Sequence, residues 1–108
     1  MYKLIEERGT GKTKQLMSEA YANNGIFVCQ NAIHMREKAN AYGFTGLKII
    51  SFRDFIDDIT EHNCYADVMI RGYKDNDNSP IYIDELEGFM NYLCFNKFKG
   101  YTITTGIL

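Results

Sequence analysis

The sequence is poor in most of the residues that would identify a function quickly. Among 108 residues there is one proline, Pro80, no tryptophan and two histidines. His34 and His62 lie far apart, and neither has a Cys or carboxylate at metal-ligand spacing, so zinc and histidine acid–base chemistry are not indicated. Cys29, Cys64 and Cys94 are odd in number and widely spaced, which suggests neither a disulfide framework nor a C-x-x-C knuckle. A reduced, cytoplasmic setting is the expectation. No apolar run approaches the roughly 20 residues of a membrane span, and the start, MYKLIEE, lacks the apolar core of a secretory signal. No membrane partner is expected. Charge is nearly balanced: 12 Lys+Arg against 14 Asp+Glu give −2. With no dense Lys/Arg run, nothing draws the whole chain toward nucleic acid, and local contact with it is left open.

What the chain does have is enough apolar content for a packed interior, 45%, at the common size of one domain, here residues 1–108. The pattern alternates. Residues 13–23 place Leu16, Met17, Ala20 and Tyr21 at helical spacing, and Asn23-Asn24-Gly25 is a stop signal. Ile26-Phe27-Val28-Cys29 reads as a strand buried on both faces, as in a parallel sheet; Cys29 is then a small buried hydrophobe. Asn31 is placed to cap a helix over residues 32–42, ending before Gly43, where Tyr42 and Phe44 pack at the helix end. LKIISF, 47–52, reads as another buried strand. Ser51 and Asp54 form the S-x-x-D start of a third helix, with an apolar stripe of Phe52, Phe55, Ile56 and Ile59. Residues 67–70 suggest a short strand, and KDNDNSP, 74–80, is a loop. Its Asp75-x-Asp77 spacing hints at calcium, but Pro80 and Leu86 stand where an EF-hand needs Gly and Glu. IYIDE, 81–85, is a strand ending in two acids. Leu86, Phe89, Met90 and Leu93 mark a helix ending near Asn96, and Gly100 precedes an alternating strand over 101–105. Strands alternating with helices imply an α/β domain, a three-layer αβα arrangement with a mostly parallel central sheet. Phe89, Tyr92, Phe95 and Phe98 are read as core and interface packing in preference to base-stacking.

The organising stretch is KLIEERGTGKTKQLM. The apolar pair Leu4-Ile5 leads into Gly9-Thr10-Gly11, then Lys12, Thr13 and a helix: the strand, loop and helix order of a phosphate-binding P-loop (Walker A). Backbone N–H groups of such a loop converge on phosphate oxygens, and the helix N-terminus adds its positive end. In G-x-x-x-x-G-K-[ST] the lysine reaches the β/γ-phosphates and the hydroxyl reaches Mg²⁺. Gly11-Lys12-Thr13 fits this, but Glu6 stands where the first glycine belongs. About 70 residues on, Asp84 and Glu85 end an apolar strand in the manner of a Walker B motif. Ligands of open α/β sheets sit at that strand end. Asp84 suits Mg²⁺ and Glu85 suits a base acting on the attacking water. Read singly, the first motif is also a glycine-rich surface turn, and the second is also an acidic first helix turn.

With these residues the sequence resembles the P-loop NTPases that carry a catalytic glutamate beside the magnesium aspartate. It is most similar to the first motor domain of helicases and to phage terminase large subunits. The resemblance implies ATP and Mg²⁺ as ligands, Gly9, Thr10, Gly11, Lys12 and Thr13 around the phosphates, Thr13 and Asp84 at the metal, and Glu85 and Lys12 in catalysis. Arg8, just before the glycine turn as in terminases, is implied as a cis arginine on the transferring phosphoryl group. Thr104-Thr105-Gly106 matches a γ-phosphate-sensing motif, and equally a strand end and turn. Five residues precede Glu6, so an upstream glutamine motif that reads adenine is not expected, nor are a second motor domain or a nuclease domain. A trans arginine would then come from an oligomer, with Arg36, Arg53 and Arg71 as candidates.

The expectation is a small nucleotide-binding protein working as a slow Mg²⁺-dependent ATP hydrolase. The alternative is a vestigial P-loop interaction module, such as a phage-type regulator or inhibitor of a host machine in the host cytoplasm, which binds a protein partner without turnover. A nucleotide or nucleoside kinase shares the P-loop and would want an arginine-rich lid and an acceptor pocket, but residues 62–80, whose only arginine is Arg71, make a poor lid. Ile107-Leu108 and open sheet edges leave self-association as a further partner reading.

Overall fold

The structure is a computed structural model that describes residues 1–4, 11–64 and 79–104, with the backbone alone at 61–64. Its elements run α1 (Lys12–Ala22), β1 (Ile26–Cys29), α2 (Ala32–Ala41), β2 (Lys48–Ser51), α3 (Phe52–Cys64), β3 (Ile81–Ile83) and α4 (Leu86–Leu93). The strands form a parallel sheet in the order β2-β1-β3. β1 is central and buried along its whole length, as its unbroken apolar run requires.

Strand side chains alternate between two helical layers, as a period of two dictates. Phe27 and Cys29 of β1 and Ile49 of β2 pack with Met17 and Ala20 of α1 and Ala39 of α2. On the opposite face Ile26 and Val28 pack with Phe52 and Phe55 of α3, with Ile83 and with Phe89 of α4. Phe89 meets Phe52 edge-on at 5.1 Å and Phe55 at 6.1 Å, so the aromatic residues of α4 at this face are core-packing residues. A mixed α/β layering with a parallel sheet is thereby established for the described residues.

Each helix end is encoded locally. Asn31 caps α2 by accepting from the His34 N–H at 3.0 Å, and Ser51 caps α3 by accepting from Asp54 N–H at 3.1 Å. At the end of α1 the left-handed residue is Asn24 (φ 55°), and the Gly25 N–H closes on Ala20 O at 2.7 Å. Gly43 (φ 88°) does the same for α2, where Phe44 N–H reaches Ala39 O at 2.8 Å. Phe44 then packs on Tyr21 and Tyr42 at the helix end, as expected.

One expectation needs correction. Of the Leu4-Ile5 pair only Leu4 is described, and it lies in no strand; residues 101–104 are described and have no strand structure. In this second segment the alternating Tyr101 and Ile103 are both exposed, because other contacts hold the chain elsewhere. Tyr101 stacks on Phe98 at 5.6 Å and donates its hydroxyl to Glu87, which ties this segment to α4 and not to the edge of β3. The strand expected at 67–70 and the Asp75-x-Asp77 loop lie outside the described residues. No helix among the described residues is long and apolar enough to cross a membrane.

Among the described glycines, Gly25 is the one whose missing side chain the packing demands. A Cβ there would lie 2.6 Å from Tyr82 Cε1 and 2.8 Å from Pro80 O. That carbonyl cannot withdraw, since it accepts the Ile26 N–H at 2.8 Å and so continues the β1–β3 pairing. Gly25→Ala is expected to destabilise the fold by about 1–3 kcal/mol in urea titration. Gly100→Ala, with open space around the new methyl, is expected to stay within about 0.5 kcal/mol.

Candidate functional site

All three strands are parallel, so their C-terminal ends share one edge of the sheet, and helices α1, α2, α3 and α4 all begin there. Position along this edge is set by register. Val28 pairs with Ile83, and the ladder runs one bond further, from Asp84 N–H to Val28 O at 2.9 Å. Asp84 is therefore held on the last rung of the sheet, buried to 8% exposure.

Its partner comes from the far end of the sequence. Thr13, in the first turn of α1, donates its hydroxyl to Asp84 Oδ1 at 3.3 Å, with Oδ2 at 3.5 Å. Lys12 opens the same helix, and its ammonium charge reaches Asp84. Ahead of both stands Gly11 in the left-handed region (φ 79°), where a side chain would be strained. It is the N-cap of α1 and offers no side-chain acceptor, so the first-turn amides have no side-chain cap. Gly11, Lys12, Thr13 and Asp84 are thus brought to one place. Arg8, Gly9 and Thr10 lie outside the described residues, as do Thr105, Gly106 and Arg71.

Glu85 follows Asp84 and is exposed at the same edge. It has a left-handed backbone, φ 60° and ψ 72°, which is uncommon for a non-glycine residue. The cause is the shortness of the link: Asp84 and Glu85 alone join β3 to α4. The Glu85 carbonyl already accepts the Phe89 N–H at 2.9 Å, so the turn must be completed at this residue.

The electrostatics concentrate on Asp84. Burial raises its pKa above the usual carboxylate value, and the neighbouring Glu85 charge raises it further. The Thr13 hydrogen bond and the Lys12 and Lys38 charges act in the opposite direction. Behind it, burial and then the Asp84 charge push the Cys29 thiol up to about 11. Cys29 is inert packing in this state, with its thiol toward Ile50 O.

Beside the two carboxylates lies a cleft of about 770 Å³. Gln30 and Asn31 after β1, Ser51 and Asp54 at the start of α3, and Arg36 from α2 contribute to it. Arg36 donates to Ile49 O at 3.0 Å, a structural contact in addition to its exposed position. The sequence marked Asn31, Ser51 and Asp54 as helix-capping residues and Arg36 as a candidate trans arginine, but it marked none of these, nor Gln30 or Lys38, as belonging to a cleft at this edge. For Gln30, Asn31 and Ser51 a signal existed, since any residue that follows a buried parallel strand emerges at this edge. For Lys38 there was none; its nearness to Asp84 depends on how α2 packs.

The donor set can be tested against magnesium. A hydroxyl and a carboxylate at one point are hard oxygen ligands, and Mg²⁺ is commonly held by one or two carboxylates with phosphates and waters completing the shell. Thr13 and Asp84 fit that requirement. No group of three or more His, Cys, Asp or Glu side chains converges among the described residues, and Mg²⁺ held together with a nucleotide needs none. No family model, curated protein or solved structure matches the chain. The site must be read from its own chemistry.

Two outcomes follow from this geometry. Because the folded-state pKa of Asp84 is raised, the folded protein binds its proton more tightly than the unfolded chain does. Its contribution to stability is present at low pH and is lost as pH rises through the folded value. In metal-free buffer Asp84→Asn is therefore expected to raise the melting temperature at neutral pH and to flatten the loss of stability on going up from acid pH. Thermal melts of both proteins across the acid-to-neutral range check this. Glu85→Gly is expected to gain roughly 1 kcal/mol in urea titration through relief of left-handed strain, a gain that Glu85→Gln should not share.

Proposed function

We propose that the chain is a P-loop nucleotide-binding protein and a slow Mg²⁺-dependent ATPase. The observation that carries this reading is the Thr13–Asp84 hydrogen bond, which unites residues 71 positions apart at the carboxyl edge of a parallel sheet. In this reading the Gly11–Thr13 amides and Lys12 hold the β- and γ-phosphates, with Gly9 and Thr10 extending the cradle. Thr13 and Asp84 would hold Mg²⁺, which would supply positive charge to offset that of the phosphates. Glu85, exposed at the end of the two-residue turn, orients and deprotonates the attacking nucleophile. Arg8 is proposed as the cis arginine. A reduced, cytoplasmic setting belongs to the same proposal and agrees with the free thiols of Cys29 and Cys94.

One observation supports a second reading, an interaction module. Around α4 several large apolar side chains are exposed: Leu86, Leu93, Phe95 and Ile103, with Phe95 at 81%. A protein that acts through that surface alone should tolerate loss of the phosphate site.

Calorimetric titration with ATP and Mg²⁺, followed by phosphate release on the same samples, separates the two. Lys12→Ala is expected to lose ATP binding. Glu85→Gln is expected to keep binding while phosphate release falls on the order of 10²-fold or more. Equal release from Glu85→Gln and wild type would remove Glu85 from the mechanism. Wild type that binds no ATP at millimolar concentration would leave the interaction module as the standing reading.

A further inference from the structure

We infer that the cleft beside Glu85 seats a second substrate, an uncharged nucleoside whose hydroxyl accepts the γ-phosphoryl group, which would make the chain a phosphotransferase. This rests on the nucleotide-binding reading above and names the acceptor of that same site. An attacking water needs almost no room. The cleft measures about 770 Å³, inside the roughly 300–1,000 Å³ range of small-molecule sites. It opens directly onto Asp84 and Glu85, where the reacting phosphate would lie.

The walls sort by chemistry. Ile33 and Met35 supply apolar surface for a flat ring, and the buried Phe52 also lines the cleft. Gln30 and Ser51 bring an amide and a hydroxyl, and the exposed Asp54 brings a carboxylate able to accept from sugar hydroxyls. Charge then narrows the choice. Among the described residues that line the cleft, Asp54, Asp84 and Glu85 stand with one cation, Arg36, which is already donating to Ile49 O, while Lys12 and Lys38 act on Asp84 without lining it. Such a cleft repels a phosphate backbone or an already phosphorylated acceptor and admits a neutral one. The step is a simple displacement. The nucleoside hydroxyl oxygen bonds to the γ-phosphorus as the bond from that phosphorus to the β–γ bridging oxygen breaks. The electron pair leaves with ADP, and the hydroxyl proton passes to the Glu85 carboxylate and on to solvent.

The test uses adenosine, guanosine, cytidine, uridine and thymidine as probes. Each is titrated by calorimetry without ATP, and ³¹P NMR then follows mixtures with Mg²⁺ and ATP. Ile33 lines the cleft and is 72% exposed, so Ile33→Trp adds bulk at the cleft without touching the core. Asp54→Ala is the second variant, since the α3 cap uses the Asp54 backbone and not its side chain. The expected result is sub-millimolar binding of at least one nucleoside, weakened about tenfold or more by Ile33→Trp and by Asp54→Ala. Nucleoside monophosphate and ADP should then appear in equal amounts in wild type and be absent with Lys12→Ala. Absence of nucleoside binding, or binding that neither variant changes, overturns the inference. ATP turnover to free phosphate at one rate with and without bound nucleoside overturns the transfer and spares the ATPase reading. Nucleoside binding without ATP binding overturns the transfer together with that reading.

Discussion

One hydrogen bond, from Thr13 to Asp84, joins the beginning of the fold to its end. Neither residue could reach the other unless the sheet were parallel and in register. Asp84 lies one residue beyond the Val28–Ile83 pair and is fixed by its own N–H on Val28 O. A slip of one residue would turn every side chain of β3 to the opposite layer, moving Ile83 off the aromatic face and carrying the carboxylate away from α1. The apolar packing that selects the register therefore also selects the geometry of the site. Gly25 is part of the same constraint, since a side chain there would push on Tyr82 of β3 and on Pro80 just before it, the segment that leads to Asp84.

The site is costly to the fold that holds it. A carboxylate at 8% exposure is desolvated, its neighbour Glu85 repels it, and Glu85 itself has a backbone conformation that glycine would adopt more easily. Strain of this kind persists only where the surroundings over-determine it. Here they do: Asp84 N–H is on the sheet, Glu85 C=O is on the helix, and no residue is left between β3 and α4 to relax the turn. Two apolar clusters on opposite faces of β1 supply the compensating burial.

Much of this was legible in sequence, for reasons that differ by element. IFVC read as a doubly buried strand because its four side chains alternate between two layers that both exclude water. Asn31 and Ser51 read as caps because a short side chain with an acceptor oxygen answers a purely local need. Gly11-Lys12-Thr13 and Asp84-Glu85 were visible as two motifs, but only the structure places the Thr13 hydroxyl on the Asp84 carboxylate. The segment 101–104 was misread because alternation signals a strand only where a partner edge is supplied. Its tyrosine instead reaches Glu87 and Phe98, two contacts that no periodicity encodes. The cleft was missed for a related reason: its walls come from three separate strand ends, and none of those short segments is unusual alone.

The charge pattern at the site also bears on what can occupy it. Asp84 and Glu85 are adjacent acids, and a polyphosphate brought to the first turn of α1 would add several more negative charges nearby. Against these stand Lys12, Lys38 and the positive end of a helix whose N-cap provides no side-chain acceptor. Among the described residues, two lysines and a helix terminus do not balance two carboxylates and a polyphosphate in a partly buried site. Held by Asp84 as proposed, a divalent cation would correct the imbalance and would oppose the upward shift of the Asp84 pKa. On the proposed reading, cation and nucleotide are thus mutually dependent ligands. Each would relieve a repulsion that opposes the other.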